Sequence, residues 1–147
     1  MSPSELEVYL HKHIPLSRAM QASVISIQEK EVLLGAPLAP NINHRETVFG
    51  GSASALALLA AWSLLHVRLR STGISSRLVI QRNAIDYDLP IEGAFTARSF
   101  LGKPAEWEQF VKTLTRKGRA RIAVSAALEY SGHIAGRFEG EFVALGI

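Results

Sequence analysis

Residues 41–66 read NINHRETVFGGSASALALLAAWSLLH, and the order of residue types in this stretch decides the fold. The stretch opens with polar side chains, reaches a glycine pair at Gly50 and Gly51, and from Phe49 to Val67 contains no Asp, Glu, Lys or Arg. A helix that is apolar around its whole circumference belongs in the interior of a protein. The stretch therefore predicts a long central helix that is buried on every side and has a polar segment at its entrance.

The length and composition of this helix favour a protein core over a membrane. A membrane-spanning helix needs about 20 mostly apolar residues, whereas this segment is marginal in length and rich in Gly, Ser and Ala. The N-terminal residues carry acids where a signal peptide would carry lysines before an apolar core. We therefore expect a cytoplasmic protein with no membrane association.

The composition limits the chemistry that the chain can perform. Its 147 residues are 48% hydrophobic and 20% charged, which fits one domain over residues 1–147 with a substantial core. No cysteine is present, which excludes disulfides, thiolate zinc sites and cysteine nucleophiles. The five histidines show no metal-ligand spacing with acids, so we expect no metal site. The net charge of +3 comes mostly from scattered basic residues, which argues against nucleic acid as a partner.

The remaining sequence predicts antiparallel strands and two shorter helices around the central one. The predicted strands cover residues 21–28, 31–38, 75–88, 94–101, Arg119–Tyr130 and Ile134–Leu145. An N-terminal helix over 4–14 ends at Pro15, and an amphipathic helix runs from Pro104 to Gly118. Runs of antiparallel strands beside one helix indicate an α+β protein. We predict the hotdog fold, in which a bent antiparallel sheet wraps around a long central helix.

Several motifs resemble those of a known family. Asn43, five further residues and then Phe49-Gly50-Gly51 are similar to the hotdog thioesterases of the phenylacetyl-CoA type, which have an aromatic residue or histidine before Gly-Gly at this spacing. Nearly the whole chain resembles the thioesterase domain found at the C-terminus of YiiD-type proteins. The motifs that carry this resemblance are PNINH at 40–44, TVFGGS at 47–52, AIDY at 84–87 with Pro90, KGRARI at 117–122 and RFEGEFVA at 137–144.

The resemblance implies an activity and a quaternary structure. It implies hydrolysis of acyl-CoA or acyl-carrier-protein thioesters, with no cofactor beyond the thioester substrate. It also implies a homodimer or a higher homo-oligomer, such as a homotetramer, with active sites between subunits. Dimerisation would satisfy the unpaired strand edges that a half-open sheet leaves.

Residues at the entrance of the central helix are the candidates for catalysis. The first N–H groups of a helix lack intrahelical acceptors and lie at the positive end of its dipole, so the Gly51 N–H is the candidate oxyanion donor. The resemblance implies that Asn43 orients the attacking water or holds the thioester, although an asparagine there could also cap or turn the loop. His44 or Glu46 would assist the water, and each could instead serve only the loop structure.

Further candidates come from the same entrance and from two other segments. The candidate substrate-binding residues are Thr47, Phe49, Gly50, Ser52 and Tyr87. Asp86 and Asp88 at a strand end are alternative bases that could reach the site of a neighbouring subunit. Arg116, Lys117 and Arg119 are candidates for binding the phosphates of coenzyme A, although such charges also suit the end of a helix.

One position departs from the family pattern. The family's acid lies nine residues after the aromatic residue or histidine, and that position is occupied here by Leu58. Leucine can act neither as a base nor as a nucleophile. Two hypotheses therefore remain: an acyl thioesterase whose base comes from elsewhere, and a non-catalytic hotdog module that binds acyl-CoA or has a regulatory role.

Overall fold

The computed structural model describes all residues from 1 to 147 and contains four α-helices and six β-strands. In chain order these are α1 (Pro3–His13), α2 (Pro15–Ala19), β1 (Ser23–Ile27), β2 (Glu31–Ala36), α3 (Gly50–Thr72), β3 (Ser76–Tyr87), β4 (Phe95–Leu101), α4 (Pro104–Lys117), β5 (Arg119–Tyr130) and β6 (His133–Gly146). Every predicted helix and strand is present. One further helix, α2, begins at Pro15, where the sequence predicted an end, because proline is also favoured in the first turn of a helix.

The strands form a single antiparallel sheet in the order β1-β2-β4-β5-β6-β3. The long helix α3 packs against every strand except β1. The helix α4 lies beside α3 and covers β5 and β6. The guanidinium carbon of Arg68 on α3 lies 4.6 Å from the ring centroid of Trp107 on α4. One long helix packed against a six-stranded antiparallel sheet confirms the predicted α+β hotdog fold.

Alternate residues of the strands meet α3 in the core. The buried face of β5 includes Ile122, Val124, Ala126 and Leu128, and that of β6 includes Phe138 and Phe142. The α3 residues with 0% exposure are Leu56, Ala57, Ala60, Ala61, Ser63, Leu64 and Leu65. The alanines let the strands approach the helix closely, while the leucines fill the remaining space, so the helix and the sheet exclude water from each other.

One stripe of α3 is not buried, so the prediction of burial on every side is wrong there. Gly51 is exposed, and Ser54, Leu58, Trp62 and His66 are only partly buried. These positions recur every three or four residues and therefore lie on one face of the helix. By length and composition α3 could cross a membrane, but 56% of its most apolar segment is buried inside the protein.

The strand β3 lies at an edge of the sheet, although it is 12 residues long. It is hydrogen-bonded only to the strand β6, so most backbone groups along its other side have no partner in this chain. The Tyr87 hydroxyl donates to the Gly50 carbonyl at 3.1 Å, and the Trp62 indole N–H donates to the Leu78 carbonyl at 3.0 Å. β3 therefore runs beside the partly exposed stripe of α3.

Replacing Leu64 with alanine should lower the free energy of unfolding by about 3 kcal/mol, because it leaves a cavity between α3 and the sheet. Chemical denaturation followed by circular dichroism measures this change. The matched control is Leu16→Ala on α2, where the wild-type side chain is 58% exposed. The control should change stability by less than about 0.5 kcal/mol. Equal losses in the two variants would contradict the central position of α3.

Candidate functional site

The loop of residues 42–49 is fixed in front of α3 by backbone hydrogen bonds. Ile42 forms an isolated antiparallel bridge with Val48, whose N–H donates to the Ile91 carbonyl at 2.8 Å. The Phe49 N–H donates to the Asn41 carbonyl, also at 2.8 Å. Asn41 is buried, and its side-chain amide donates to two backbone carbonyls. Asn41 thus anchors the loop, a role that the sequence analysis did not assign.

The first turn of α3 leaves two N–H groups without an acceptor. The N–H groups of Ser52 and Ala53 both donate to the Phe49 carbonyl, at 2.9 and 3.0 Å. The N–H groups of Gly50 and Gly51 donate to no group of this chain, and no side chain caps the helix. Both lie at the positive end of the helix dipole, so they can stabilise negative charge that develops on a carbonyl oxygen.

Two aromatic rings frame this glycine pair. A Cβ atom at Gly51 would lie 2.5 Å from Cε2 of Phe49, so any other residue at this position would displace the ring. Next to Gly50 lies the ring of Tyr87, and the side chains of Phe49 and Tyr87 are 58% and 56% exposed. The structure thus brings four predicted site residues together, and we call Phe49, Gly50, Gly51 and Tyr87 the α3 entrance. Ser52 follows on the first turn of the helix.

Asn43, a predicted catalytic residue, makes most of its hydrogen bonds inside its own loop. Its Oδ1 accepts from the N–H groups of Arg45 (2.8 Å) and Thr47 (3.1 Å). Its Nδ2 donates to the hydroxyl of Thr47 at 2.9 Å, and its backbone N–H donates to the Thr47 carbonyl at 2.8 Å. The loop-turning role that the sequence left open is therefore present. One side-chain N–H of Asn43 keeps no acceptor, while Thr47, a predicted substrate contact, mainly closes the turn.

His44 and Glu46 project from the same loop into solvent. Both residues are exposed, and neither side chain forms a hydrogen bond or an ion pair within the chain. Glu46 has a φ of +63°, in the left-handed region. That conformation costs a residue other than glycine about 1 kcal/mol or more, and the hydrogen bonds around Asn43 hold the loop in it. Both side chains are therefore free to meet a ligand or a water.

The alternative bases Asp86 and Asp88 both face Arg137. The Arg137 guanidinium donates to the two carboxylate oxygens of Asp88 at 3.0 and 3.3 Å, and it lies 3.9 Å from Asp86. The hydrogen bonds from Arg137 hold the pKa of Asp88 below its usual value. A carboxylate that is paired in this way is a weaker base, so the geometry favours a structural role for Asp88.

The candidate phosphate-binding residues lie far from the α3 entrance within one chain. These residues are Arg116, Lys117 and Arg119. Lys117, Arg119 and Arg121 line a shallow depression of about 500 Å³ at the start of β5, where Arg119 lies opposite Leu145. Tyr87 lies opposite Gly136, which is near the start of β6, whereas Leu145 is near its end. We call Arg116, Lys117 and Arg119 the basic cluster. The basic cluster and the α3 entrance therefore occupy opposite ends of the sheet.

A cluster of three aromatic rings lies further along α3. The ring centroid of His66 lies 4.6 Å from that of Tyr9 and 4.7 Å from that of Trp62, and the Tyr9 and Trp62 centroids lie 6.3 Å apart. Burial, followed by the charges of Arg70 and His13, lowers the pKa of His66 to about 4. The Nε2 atom of His66 is buried and has no hydrogen-bond partner. His66 lies four residues after Trp62, so both side chains lie on one face of α3.

A family model described as "Putative thioesterase (yiiD_Cterm)" matches residues 3–146 of the chain. Among solved structures, a protein of unknown function from Chlorobaculum tepidum TLS is 26% identical, with a TM-score of 0.94 over 99% of this chain and 98% of that chain. A putative thioesterase from Shewanella oneidensis is 25% identical, with a TM-score of 0.88 over 97% of this chain and 96% of that chain. Both likenesses extend over almost the full length of both chains.

A more distant likeness concerns the phenylacetyl-CoA type. A mutant of the phenylacetic acid degradation protein PaaI from Thermus thermophilus is 17% identical, with a TM-score of 0.63. The match covers 90% of this chain and 99% of that chain. At this identity the likeness concerns the fold alone.

The stability of the protein should fall as the pH is lowered from about 7 to about 4, partly because of His66. The folded chain keeps this ring neutral down to a pKa of about 4, whereas a fully exposed histidine has a pKa near 6.5. Between these values the unfolded state binds more protons, so acid favours unfolding. The full effect would be about 3 kcal/mol, and the partial exposure of the ring reduces it to about 1–2 kcal/mol.

The variant His66→Gln, which cannot titrate, isolates this contribution. Its free energy of unfolding should fall less than that of the wild type when denaturant titrations at about pH 7 and about pH 4 are compared. The same fall in both proteins would contradict the lowered pKa of His66.

Proposed function

We propose that this chain, which belongs to the YiiD C-terminal putative thioesterase family, hydrolyses acyl thioesters of coenzyme A or of an acyl-carrier protein. The observation that carries the proposal is the α3 entrance, where the N–H groups of Gly50 and Gly51 have no acceptor. Hydrolysis of a thioester develops negative charge on the carbonyl oxygen, and unpaired N–H groups at a helix start stabilise such charge. We place this activity in the cytoplasm, which agrees with a sequence that has no cysteine.

In the proposed reaction, water attacks the carbonyl carbon of the thioester while the Gly51 N–H holds the carbonyl oxygen. A base takes a proton from the water, the carbon–sulfur bond breaks, and the leaving thiolate receives a proton. His44 or Glu46 serves as the base, because both are unpaired and precede the helix. Asn43 orients the water or the thioester through its remaining side-chain N–H. The products are a carboxylic acid and a thiol.

A non-catalytic module that binds acyl-CoA or regulates a partner is the second candidate. Leu58 stands at the family's acid position, and the first turn of α3 contains no acid. The α3 entrance would then hold a thioester carbonyl without activating water. A panel of acyl-CoA thioesters, assayed with a thiol-reactive dye, separates the two candidates when binding is measured in parallel. Background hydrolysis together with measurable binding would exclude the thioesterase.

We further propose that two copies of the chain associate along β3 as a homodimer. The free edge of β3 and the partly exposed stripe of α3 are adjacent, since Tyr87 contacts Gly50 at one end and Trp62 contacts Leu78 at the other. A second copy that pairs with β3 would cover both surfaces and satisfy the edge backbone groups. Two such dimers could form a tetramer.

The proposed homodimer also gives the basic cluster a possible role, although this cluster is far from the α3 entrance of its own chain. Ser76 and Tyr87 mark the two ends of β3, roughly 36 Å apart at the rise of an antiparallel strand. Arg116, Lys117 and Arg119 lie near the Ser76 end, because β3 and β5 both have their first residues beside the end of β6. If these residues bind the phosphates of coenzyme A, they do so for a thioester held at the α3 entrance of another copy.

Gly51→Ala should lower kcat/KM for acyl-CoA hydrolysis about 100-fold, the typical cost of losing one oxyanion donor. The added Cβ would lie 2.5 Å from Phe49 Cε2, and together with the displaced ring it would obstruct the approach of a carbonyl oxygen to the N–H group. The matched control is Gly50→Pro, which removes the neighbouring N–H at a position that proline tolerates. If Gly51 is the donor, this control should lower the rate less than about tenfold.

Asn43→Ala and Glu46→Gln test the remaining roles in the same assay. Each should lower kcat, and an unchanged rate would remove that residue from the mechanism. Thermal unfolding of each variant shows whether a loss of rate reflects a loss of folded protein.

Ile80→Lys should convert the proposed dimer into a monomer of 16.0 kDa, as measured by analytical ultracentrifugation. Ile80 is partly buried on the edge strand β3, and a charge there opposes edge-to-edge pairing. The control is Val8→Lys on α1, where the wild-type side chain is 67% exposed. A dimer that survives Ile80→Lys in folded protein would place the interface elsewhere.

A further inference from the structure

The hydroxyl of Tyr87 is hydrogen-bonded to the same peptide unit that carries the candidate oxyanion donor. It donates to the Gly50 carbonyl at 3.1 Å. The carbonyl of Gly50 and the N–H of Gly51 belong to one planar amide, because each peptide unit joins the carbonyl of one residue to the N–H of the next. The Gly51 N–H itself donates to no group of this chain. Tyr87 therefore holds one end of an amide whose other end is free.

The Tyr87 hydroxyl has no second proton for a substrate. A phenol carries a single O–H donor, and here that donor is directed at the Gly50 carbonyl. Tyr87 would have to give up this hydrogen bond to bind an oxyanion, whereas the Gly51 N–H binds one without losing a partner. The geometry thus favours an indirect role for Tyr87 over the direct substrate contact that the sequence predicted.

Contacts on both sides of Tyr87 fix the direction of its side chain. Asp86 and Asp88 precede and follow it, and their carboxylates lie 3.9 and 3.0 Å from the Arg137 guanidinium. Neighbouring side chains of an extended strand point to opposite faces, so Tyr87 points away from Arg137. The backbone N–H of Asp88 also donates to the Ala135 carbonyl at 2.9 Å. These contacts hold Tyr87 against the N-terminus of α3.

A hydrogen bond at one end of an amide makes the other end a stronger donor. When the carbonyl oxygen accepts a hydrogen bond, electron density shifts toward that oxygen and leaves the N–H more positive. Linked hydrogen bonds polarise one another in this way by roughly 10–30% per bond. The same bond fixes the plane of the amide, so the direction of the Gly51 N–H is set before a substrate arrives.

We propose that Tyr87 is a positioning residue for the oxyanion donor: its hydroxyl orients and polarises the Gly50–Gly51 amide, and the Gly51 N–H meets the carbonyl oxygen of the thioester. This inference rests on the proposed thioester hydrolysis. Tyr87 itself makes no contact with the reacting atoms. It therefore contributes most when negative charge develops on the carbonyl oxygen, and less when the uncharged thioester first binds.

The variant Tyr87→Phe keeps the ring and removes only the hydroxyl. With the acyl-CoA thioester that the wild type hydrolyses fastest, it should lower kcat about fivefold, the typical effect of one neutral hydrogen bond. KM should change less than about twofold, because the bond acts mainly on the transition state. Among the three tyrosines, only Tyr87 has a hydroxyl that is hydrogen-bonded within the chain. The matched control is therefore Tyr130→Phe at the end of β5, which should leave kcat and KM unchanged.

A double variant tests whether Tyr87 acts through Gly51. In the Gly51→Ala background, Tyr87→Phe should lower kcat less than about twofold, because the donor that it supports is already obstructed. An equal loss of kcat in the wild-type and Gly51→Ala backgrounds would show that Tyr87 acts independently of Gly51, and it would overturn the proposal.

Nuclear magnetic resonance of the Gly51 amide gives a readout that needs no turnover. In Tyr87→Phe the Gly51 amide proton should move upfield, because its N–H is less polarised. The amide signals of Gly73 and Gly118, at the ends of α3 and α4, serve as internal references. If the wild type hydrolyses no thioester, the proposed function is contradicted, while the Gly51 signal still decides whether Tyr87 acts on this N–H.

Three further results would count against the positioning role. The first is an unchanged kcat in folded Tyr87→Phe. The second is a raised KM with an unchanged kcat, which would identify Tyr87 as a substrate contact. The third is a Gly51 amide signal that does not move. Thermal unfolding and sedimentation of each variant, measured at the assay concentration, ensure that proteins in the same folded and assembled state are compared.

Discussion

The burial of α3 against the antiparallel sheet is the interaction on which the rest of the structure depends. Each fully buried leucine on its core face contributes about 2 kcal/mol through removal of apolar surface from water. The alanines between the leucines bring the helix close to the strands. Because one helix carries both residues, its packing fixes Gly50 beside Tyr87 and Trp62 beside the first residues of β3.

The α3 entrance is a helix N-terminus that no side chain of the chain caps. A side-chain cap from Ser, Thr, Asp or Asn typically stabilises such an end by about 1 kcal/mol, and α3 has none. The loop before it satisfies its own polar groups through Asn43 and Thr47 instead. Two glycine N–H groups consequently remain open between aromatic rings. The helix therefore lacks the stabilisation of a cap at the two N–H groups that could bind an anionic or polarised oxygen.

The edge position of β3 connects the α3 entrance with the proposed homodimer. A 12-residue edge strand presents unpaired backbone groups along its length, and the α3 stripe beside it is partly exposed. The α3 entrance lies near the last residue of β3, and the basic cluster lies near its first residue, at the other end of the sheet. One chain therefore places the unpaired glycine N–H groups and the basic residues at opposite ends of the same sheet.

The sequence alone determined the elements and the family, because both depend on local signals. Periodicity located every strand and three of the four helices, and the spacing from Asn43 to the glycine pair led to the thioesterase resemblance. Only the tertiary structure decided that β3 is an edge, that Asn43 is used within its loop, and that Tyr9 stacks on His66. These features arise from contacts between residues distant in sequence or from competition among nearby hydrogen-bond partners. Residue periodicity does not report such contacts or such competition, so these features are defined only when the sheet packs around α3.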